Sequence, residues 1–206
     1  MEKTTTRRPF TIDEIEKLLQ EADEDWKGVI LFGLYTGQRL GDIVRLTWRN
    51  LSLEDGLLTL DSKKTGRHQI LPIAQPILDW LGEREGSSDP KDPIFPEFHD
   101  IATRSAKVGL LSSRFHDLMA RAGLVPKHAH QKREGKQGRT GKRTQSELTF
   151  HCLRHTATSL MKNAGISPAI VQEFVGHTSK AVSDSYTHIE IEALRKAAGA
   201  LPDVAG

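Results

Sequence analysis

Hydrophobic spacing changes character in one stretch of this 206-residue chain, between Leu51 and Ile73, and that change limits the folds open to it. On either side, apolar residues recur at helical intervals. Inside the stretch they form two short β-compatible runs, Leu57-Leu-Thr-Leu60 and His68-Gln-Ile-Leu71, separated by Lys63-Lys-Thr-Gly66, which has turn chemistry. One hairpin with Lys64 near its tip, set among helices, predicts a mainly α-helical α+β domain with a small antiparallel sheet.

The helices have legible ends. Thr11-Ile-Asp-Glu14 is a capping box, and Ile12, Ile15, Leu18, Leu19 and Ala22 then share one apolar face. Trp26 to Tyr35 reads as a buried second helix stopped by Gly37, and a third carries Ile43, Val44, Leu46 and Trp48, which puts Arg39 at a junction between helices. After the hairpin, helix resumes at Ile77 to Trp80. Gly86 to Phe98, rich in Pro, Ser and Asp, reads as a surface loop, and Ser112 as the cap of a helix running to Gly123. The last third predicts helices over Leu153 to Asn163, Pro168 to Val175 and Ile191 to Ala198, with a short Tyr-bearing segment between the last two.

Charge is placed unevenly. The net value is +2, yet Lys127 to Glu147 holds seven cations (Lys127, Lys132, Arg133, Lys136, Arg139, Lys142, Arg143) against Glu134 and Glu147. This span has almost no apolar residues and repeats Gly-Lys136, Gly-Arg139 and Gly-Lys142, so it reads as a flexible basic loop with a polyanionic partner. It contains no phosphate-binding G-x-x-x-x-G-K-[ST] pattern. The longest apolar run, Val29 to Tyr35, is too short to span a bilayer, and Met1 to Arg8 lacks the apolar core of a signal peptide. A cytoplasmic location, associated with the nucleoid in a bacterial host, is the expectation. The single cysteine, Cys152, excludes an internal disulfide framework and suits a small buried side chain.

Several polar positions share a chemical theme. They are Thr36-Gly-Gln-Arg39-Leu-Gly-Asp42, Lys64, His151-Cys-Leu-Arg154-His155, Gly176-His177 and Tyr186. A tyrosine hydroxyl is a nucleophile once its proton is removed, and planar guanidinium groups donate paired hydrogen bonds to phosphate oxygens.

Order and spacing of these boxes resemble the catalytic domain of the tyrosine recombinases, the phage integrase family. Its signature is an Arg in a T-G-x-R turn, a Lys on a β-hairpin, an H-x-x-R box, a G-H pair and a Tyr nine residues on, and every part is present between Phe10 and Ala198. The resemblance implies the family's DNA breaking and rejoining fold. It makes Arg39, Lys64, His151, Arg154, His177 and Tyr186 the catalytic set: Tyr186 as nucleophile, the arginines on the phosphate, His151 in proton transfer, His177 as a phosphate donor and Lys64 as general acid. Lys63 competes with Lys64 for that last role. Asp42 and His155 would support the site, and Lys132, Arg133, Lys136, Arg139, Lys142 and Arg143 would contact DNA. No metal or other cofactor is implied. Self-association on DNA, as a tetramer of protomers on paired sites, is implied, with Ile189, Ile191 and Leu194 as an apolar stripe that docks in cis or in trans. The T-G-Q-R-x-G-D and S-K-K-T-G wording looks closer to lambda-type phage integrases than to chromosome-dimer-resolving recombinases.

Expected organisation is a linker over residues 1–10, the catalytic domain over 11–199 with its basic loop at 127–147, and a tail over 200–206. Nothing corresponding to the family's separate N-terminal DNA-binding domain precedes Thr11, so an excised catalytic domain is the expectation. Three alternatives stay open: a type IB topoisomerase-like enzyme, a non-catalytic DNA-binding module of the same fold, and a zinc hydrolase using His151, His155 and His177.

Overall fold

The computed structural model describes residues 6–61, 68–104, 107–127, 146–176 and 191–205. In chain order these hold α1 (Ile12–Glu21), α2 (Glu24–Thr36), α3 (Leu40–Ile43), a 3-10 turn (Trp48–Asn50), β1 (Leu51–Ser52), β2 (Leu57–Asp61) and β3 (His68–Pro72). They continue with α4 (Gln75–Gly82), α5 (Pro96–Thr103), α6 (Val108–Arg121), α7 (His151–Asn163), α8 (Pro168–Val175) and α9 (Ile191–Gly199). Among the described residues, no helix is long and apolar enough to cross a membrane.

α2 is the axis of the core. Asp23 caps it by accepting from the Trp26 amide at 2.8 Å, and its residues from Gly28 to Thr36 are buried. A helix apolar on every side must be surrounded, and α1, α3, α4 and α7 pack around this one. The capping box of α1 forms as expected, with the Glu14 amide donating to Thr11 and the Thr11 amide donating to Glu14.

β1, β2 and β3 form an antiparallel sheet in that order, with Leu58 opposite Leu71 and Leu60 opposite Gln69. Leu58, Leu60 and Leu71 face the core. α9 packs in cis across β3 and α8, burying Leu194, Ala197 and Ala198. Behind it the tail is tied down: Tyr35 donates its hydroxyl to the Pro202 carbonyl at 2.6 Å and accepts from the Val204 amide at 3.2 Å.

Three sequence expectations need correction. The third helix ends at Ile43 and does not reach Trp48. The chain leaves it to pair with the segment before α5: Thr47 bridges Pro93, the Trp48 amide donates to the Asp92 carbonyl at 3.0 Å, and the Ile94 amide to the Leu46 carbonyl at 3.0 Å. The expected loop over Gly86 to Phe98 stops at Phe95, because Pro96 opens α5 in the first helical position, where its fixed φ fits. Ser112 lies inside α6, its hydroxyl donating back to the Val108 carbonyl at 3.3 Å, so it caps nothing.

Candidate functional site

The T-G-Q-R turn is shaped by its first two residues. Gly37 ends α2 at φ 64°, in the left-handed region that disfavours a side chain. A Cβ there would also lie 2.8 Å from Val175 Cγ1, so any side chain at this position would force the turn or the end of α8 to shift. Thr36 is buried; its hydroxyl donates to the Phe32 carbonyl and accepts from the Gln38 amide at 3.3 Å. This double constraint delivers Arg39 to the start of α3, extended at φ −77° and ψ 147°, with its side chain one-third exposed. One turn on, Asp42 brings a carboxylate oxygen to 3.9 Å from the Arg39 guanidinium.

α7 begins at His151, two residues earlier than the apolar pattern suggests, so His151, Arg154 and His155 all lie in its first turns. Cys152 and Leu153 are fully buried and anchor the helix against the core, and the Thr156 hydroxyl accepts from the Phe10 amide at 2.8 Å. Arg154 is only 3% exposed. Its Nη1 donates to the Gly37 carbonyl at 2.7 Å, joining the H-x-x-R helix directly to the T-G-Q-R turn.

His151 is half-buried, and its ring meets that of His155 edge to face at 4.9 Å between centroids. Burial pushes its pKa down to about 4, and the neighbouring His155, Arg154, Arg7 and Arg39 push the same way. A neutral imidazole at pH 7 accepts a proton, as a base or hydrogen-bond acceptor must. Arg7 belongs to this electrostatic cluster although nothing in its local sequence points there. It is exposed, on a segment held by the Arg8 amide donating to the Glu147 carbonyl at 3.3 Å and by Arg8 pairing with Glu14 at 2.6 Å.

The structure therefore assembles Arg39, Asp42, His151, Arg154 and His155. Lys64, His177 and Tyr186 lie outside the described residues, as do Lys63, Ile189 and the basic-loop residues Lys132, Arg133, Lys136, Arg139, Lys142 and Arg143. The described ends of their elements still bear on the site, since β3 and the C-terminus of α8 both pack against the T-G-Q-R turn.

Comparison with known proteins gives consistent results. A family model described as the phage integrase family matches residues 8–192. Tyrosine recombinase XerA of Pyrococcus furiosus is 24% identical over 200 residues, an alignment that takes in 94% of this chain and 61% of that protein. The chain thus spans about three-fifths of that relative's length. Among solved structures, the integrase from mycobacterium phage Brujita superposes with a TM-score of 0.67 at 19% identity, covering 98% of this chain and 60% of that one. A lambda integrase (75-356) dimer bound to a COC' core site gives 0.57 at 24% identity, covering 92% and 64%. These likenesses show the fold: the helical domain with its small antiparallel sheet is the one the residue pattern implied.

Proposed function

The chain belongs to the phage integrase family, the tyrosine recombinases, and on that premise we propose that it cuts and rejoins duplex DNA at specific sites through a covalent 3′-phosphotyrosine. The observation that carries this reading is the meeting of two boxes far apart in sequence, with Arg154 bonded to the carbonyl of Gly37 and His151 lying in the field of Arg39 and Arg154. Cations are needed there because charge builds on the non-bridging oxygens of a phosphodiester as its phosphorus becomes five-coordinate.

In the proposed reaction the Tyr186 oxygen attacks phosphorus and the bond to the 5′-oxygen breaks. Neutral His151 takes the phenol proton once the bound phosphate's negative charge has raised its basicity, and Lys64 supplies a proton to the departing 5′-oxygen. Arg39 and Arg154 hold the phosphate oxygens, with His177 as a further donor. Attack by a 5′-hydroxyl on the phosphotyrosine reverses the step, so the link stores the energy for rejoining.

Tyr35, the chain's other tyrosine, supports the assignment of Tyr186 by contrast. It is 1% exposed, its hydroxyl is engaged with the tail, and burial raises its pKa to about 12. Such a group is neither accessible nor readily ionised. The zinc reading is disfavoured by charge: burial first keeps His151 neutral, and the guanidinium groups of Arg154, Arg7 and Arg39 around it would repel a metal ion.

Duplex DNA is the proposed partner, bound as the lambda integrase dimer binds its core site. The basic span of residues 127–147 is proposed to track the backbone through Lys132, Arg133, Lys136, Arg139, Lys142 and Arg143, with protomers assembling as a tetramer on paired sites. Integration or excision of a phage or other mobile element is the finer reading, supported by the T-G-Q-R-L-G-D and S-K-K-T-G wording. A suicide-substrate assay tests the chemistry: a nicked site should trap a protein–DNA adduct. A two-site exchange assay tests the outcome, since strand exchange marks a recombinase and relaxation without exchange a topoisomerase. Absence of any adduct on the element's own junction DNA would leave a non-catalytic DNA-binding module.

A further inference from the structure

β3 breaks the alternation rule at one pair of residues. Gln69 points into the core at 7% exposure while its neighbour Ile70 is 44% exposed, the reverse of what a half-buried strand favours. A buried primary amide has two N–H donors and a carbonyl to satisfy, and leaving them unpaired is costly. Here each finds a partner. Gln69 Nε2 donates to the carbonyls of Glu173 and of Phe174, the latter at 2.8 Å, and Gln69 Oε1 accepts from Gln38 Nε2 at 3.2 Å. Gln38, also 7% exposed, donates from the same nitrogen to the Thr36 carbonyl at 3.1 Å.

Those partners lie at sensitive places. Glu173 and Phe174 are in the last turn of α8, where i+4 amides end; the Glu173 carbonyl also accepts from the Gly176 amide at 3.2 Å. Gln69 therefore caps α8 from the sheet. Gly176, at φ 71°, follows at once, and a Cβ on it would sit 3.2 Å from Gln69 Oε1. Gln38 is inside the T-G-Q-R turn, one residue before Arg39 and one after the Gly37 whose carbonyl Arg154 grips. Gln69 itself lies on β3, five positions after Lys64 in the sequence. One pair of amides thus locks together the first arginine turn, strand β3, and the end of α8 just before Gly176.

We propose that Gln69 and Gln38 are positioning residues for the cleavage step, setting the relative placement of these three segments. The inference rests on the recombinase reading above. Neither residue touches the reacting atoms. Their effect is on geometry, and misplacement of catalytic groups by about 1 Å can cost ~10²-fold in rate.

The test uses Gln69→Met and Gln38→Met, which keep length and volume while removing the amides, singly and combined, alongside wild type. Single-turnover adduct formation on a suicide substrate, DNA affinity and thermal unfolding are measured well below the melting temperature. Each single variant should form adduct ~10-fold or more slowly with affinity within ~2-fold of wild type, and the double variant should be little worse than Gln69→Met, because the pair acts as a unit. Gln38→Met leaves the α8 cap in place, so it reports on positioning even where Gln69→Met folds poorly. Wild-type adduct rates in Gln38→Met, or rate losses in both variants that merely track the unfolded fraction, would overturn the proposal. Failure of wild type to form adduct on its junction DNA would instead sink the recombinase reading, and this inference with it.

Discussion

Arg154 and Gly37 are joined by a 2.7 Å hydrogen bond, guanidinium to backbone carbonyl, across 117 residues of sequence. The bond ties the helix that carries His151 to the turn that delivers Arg39. It also gives the two arginines different physical characters. Arg154 is almost wholly buried, whereas the Arg39 side chain is one-third exposed beside Asp42.

Their variants should differ accordingly. Arg39→Ala and Arg154→Lys should each slow adduct formation by ~10²-fold or more, the scale for loss of one donor to transition-state charge. Only the Arg154 variant should also lose stability, by about 1.5–3 kcal/mol, the range for a hydrogen bond involving a charged group. Urea unfolding of both proteins checks the split. Equal stability losses would contradict it.

His151 gives a pH prediction. Its folded pKa, about 4, lies below the ordinary histidine value of 6.5. The unfolded chain therefore binds the extra proton between these values, so this group's contribution favours the folded state above pH 6.5 and is lost as pH falls toward 4. NMR titration of the free protein should show His151 neutral down to about pH 5. Bound DNA brings phosphate charge and should raise its pKa, and an unchanged titration in the complex would place the phosphate elsewhere.

Gly37 and Gly123 form a matched pair for separating strain from crowding. Both have positive φ, at 64° and 73°, but a Cβ on Gly123 meets nothing within 4 Å while one on Gly37 meets Val175. Gly123→Ala should cost about 1–2 kcal/mol from backbone strain alone. Gly37→Ala should cost roughly 1–3 kcal/mol more for overpacking, and should slow cleavage as the turn shifts. Similar stabilities for the two variants would show that α8 yields easily.

The C-terminal segment was expected to offer Ile189, Ile191 and Leu194 for docking in cis or in trans. Ile189 lies outside the described residues; Ile191 is half-buried and Leu194 is buried in cis, with Leu201 and Val204 continuing the same core. Leu194→Ala should therefore destabilise the isolated protein by about 2–5 kcal/mol, the usual range for a buried leucine. An unchanged unfolding midpoint would mean that α9 is held only by a partner.

Much of the helical frame around the candidate site was legible because glycines and caps carry strong local signals. Gly37 and Gly123 take up positive φ at the helix ends read for them, and Thr11 and Glu14 form the capping box. What escaped depends on partners distant in sequence. Trp48 leaves helix because Asp92 claims its amide, and α5 was hidden behind Pro90, Pro93 and Pro96, which read as loop. Gln38 and Gln69 looked like ordinary polar residues, since nothing local announces that two amides 31 residues apart will meet.

The most direct measurement of the central claim is peptide mapping of the trapped protein–DNA adduct by mass spectrometry after nuclease and protease digestion. The account predicts a nucleotide remnant linked through phosphate to Tyr186, formed equally well in EDTA and without nucleotide, and none on Tyr35. An adduct on any other residue, or cleavage that needs a metal ion and leaves no covalent link, would contradict it.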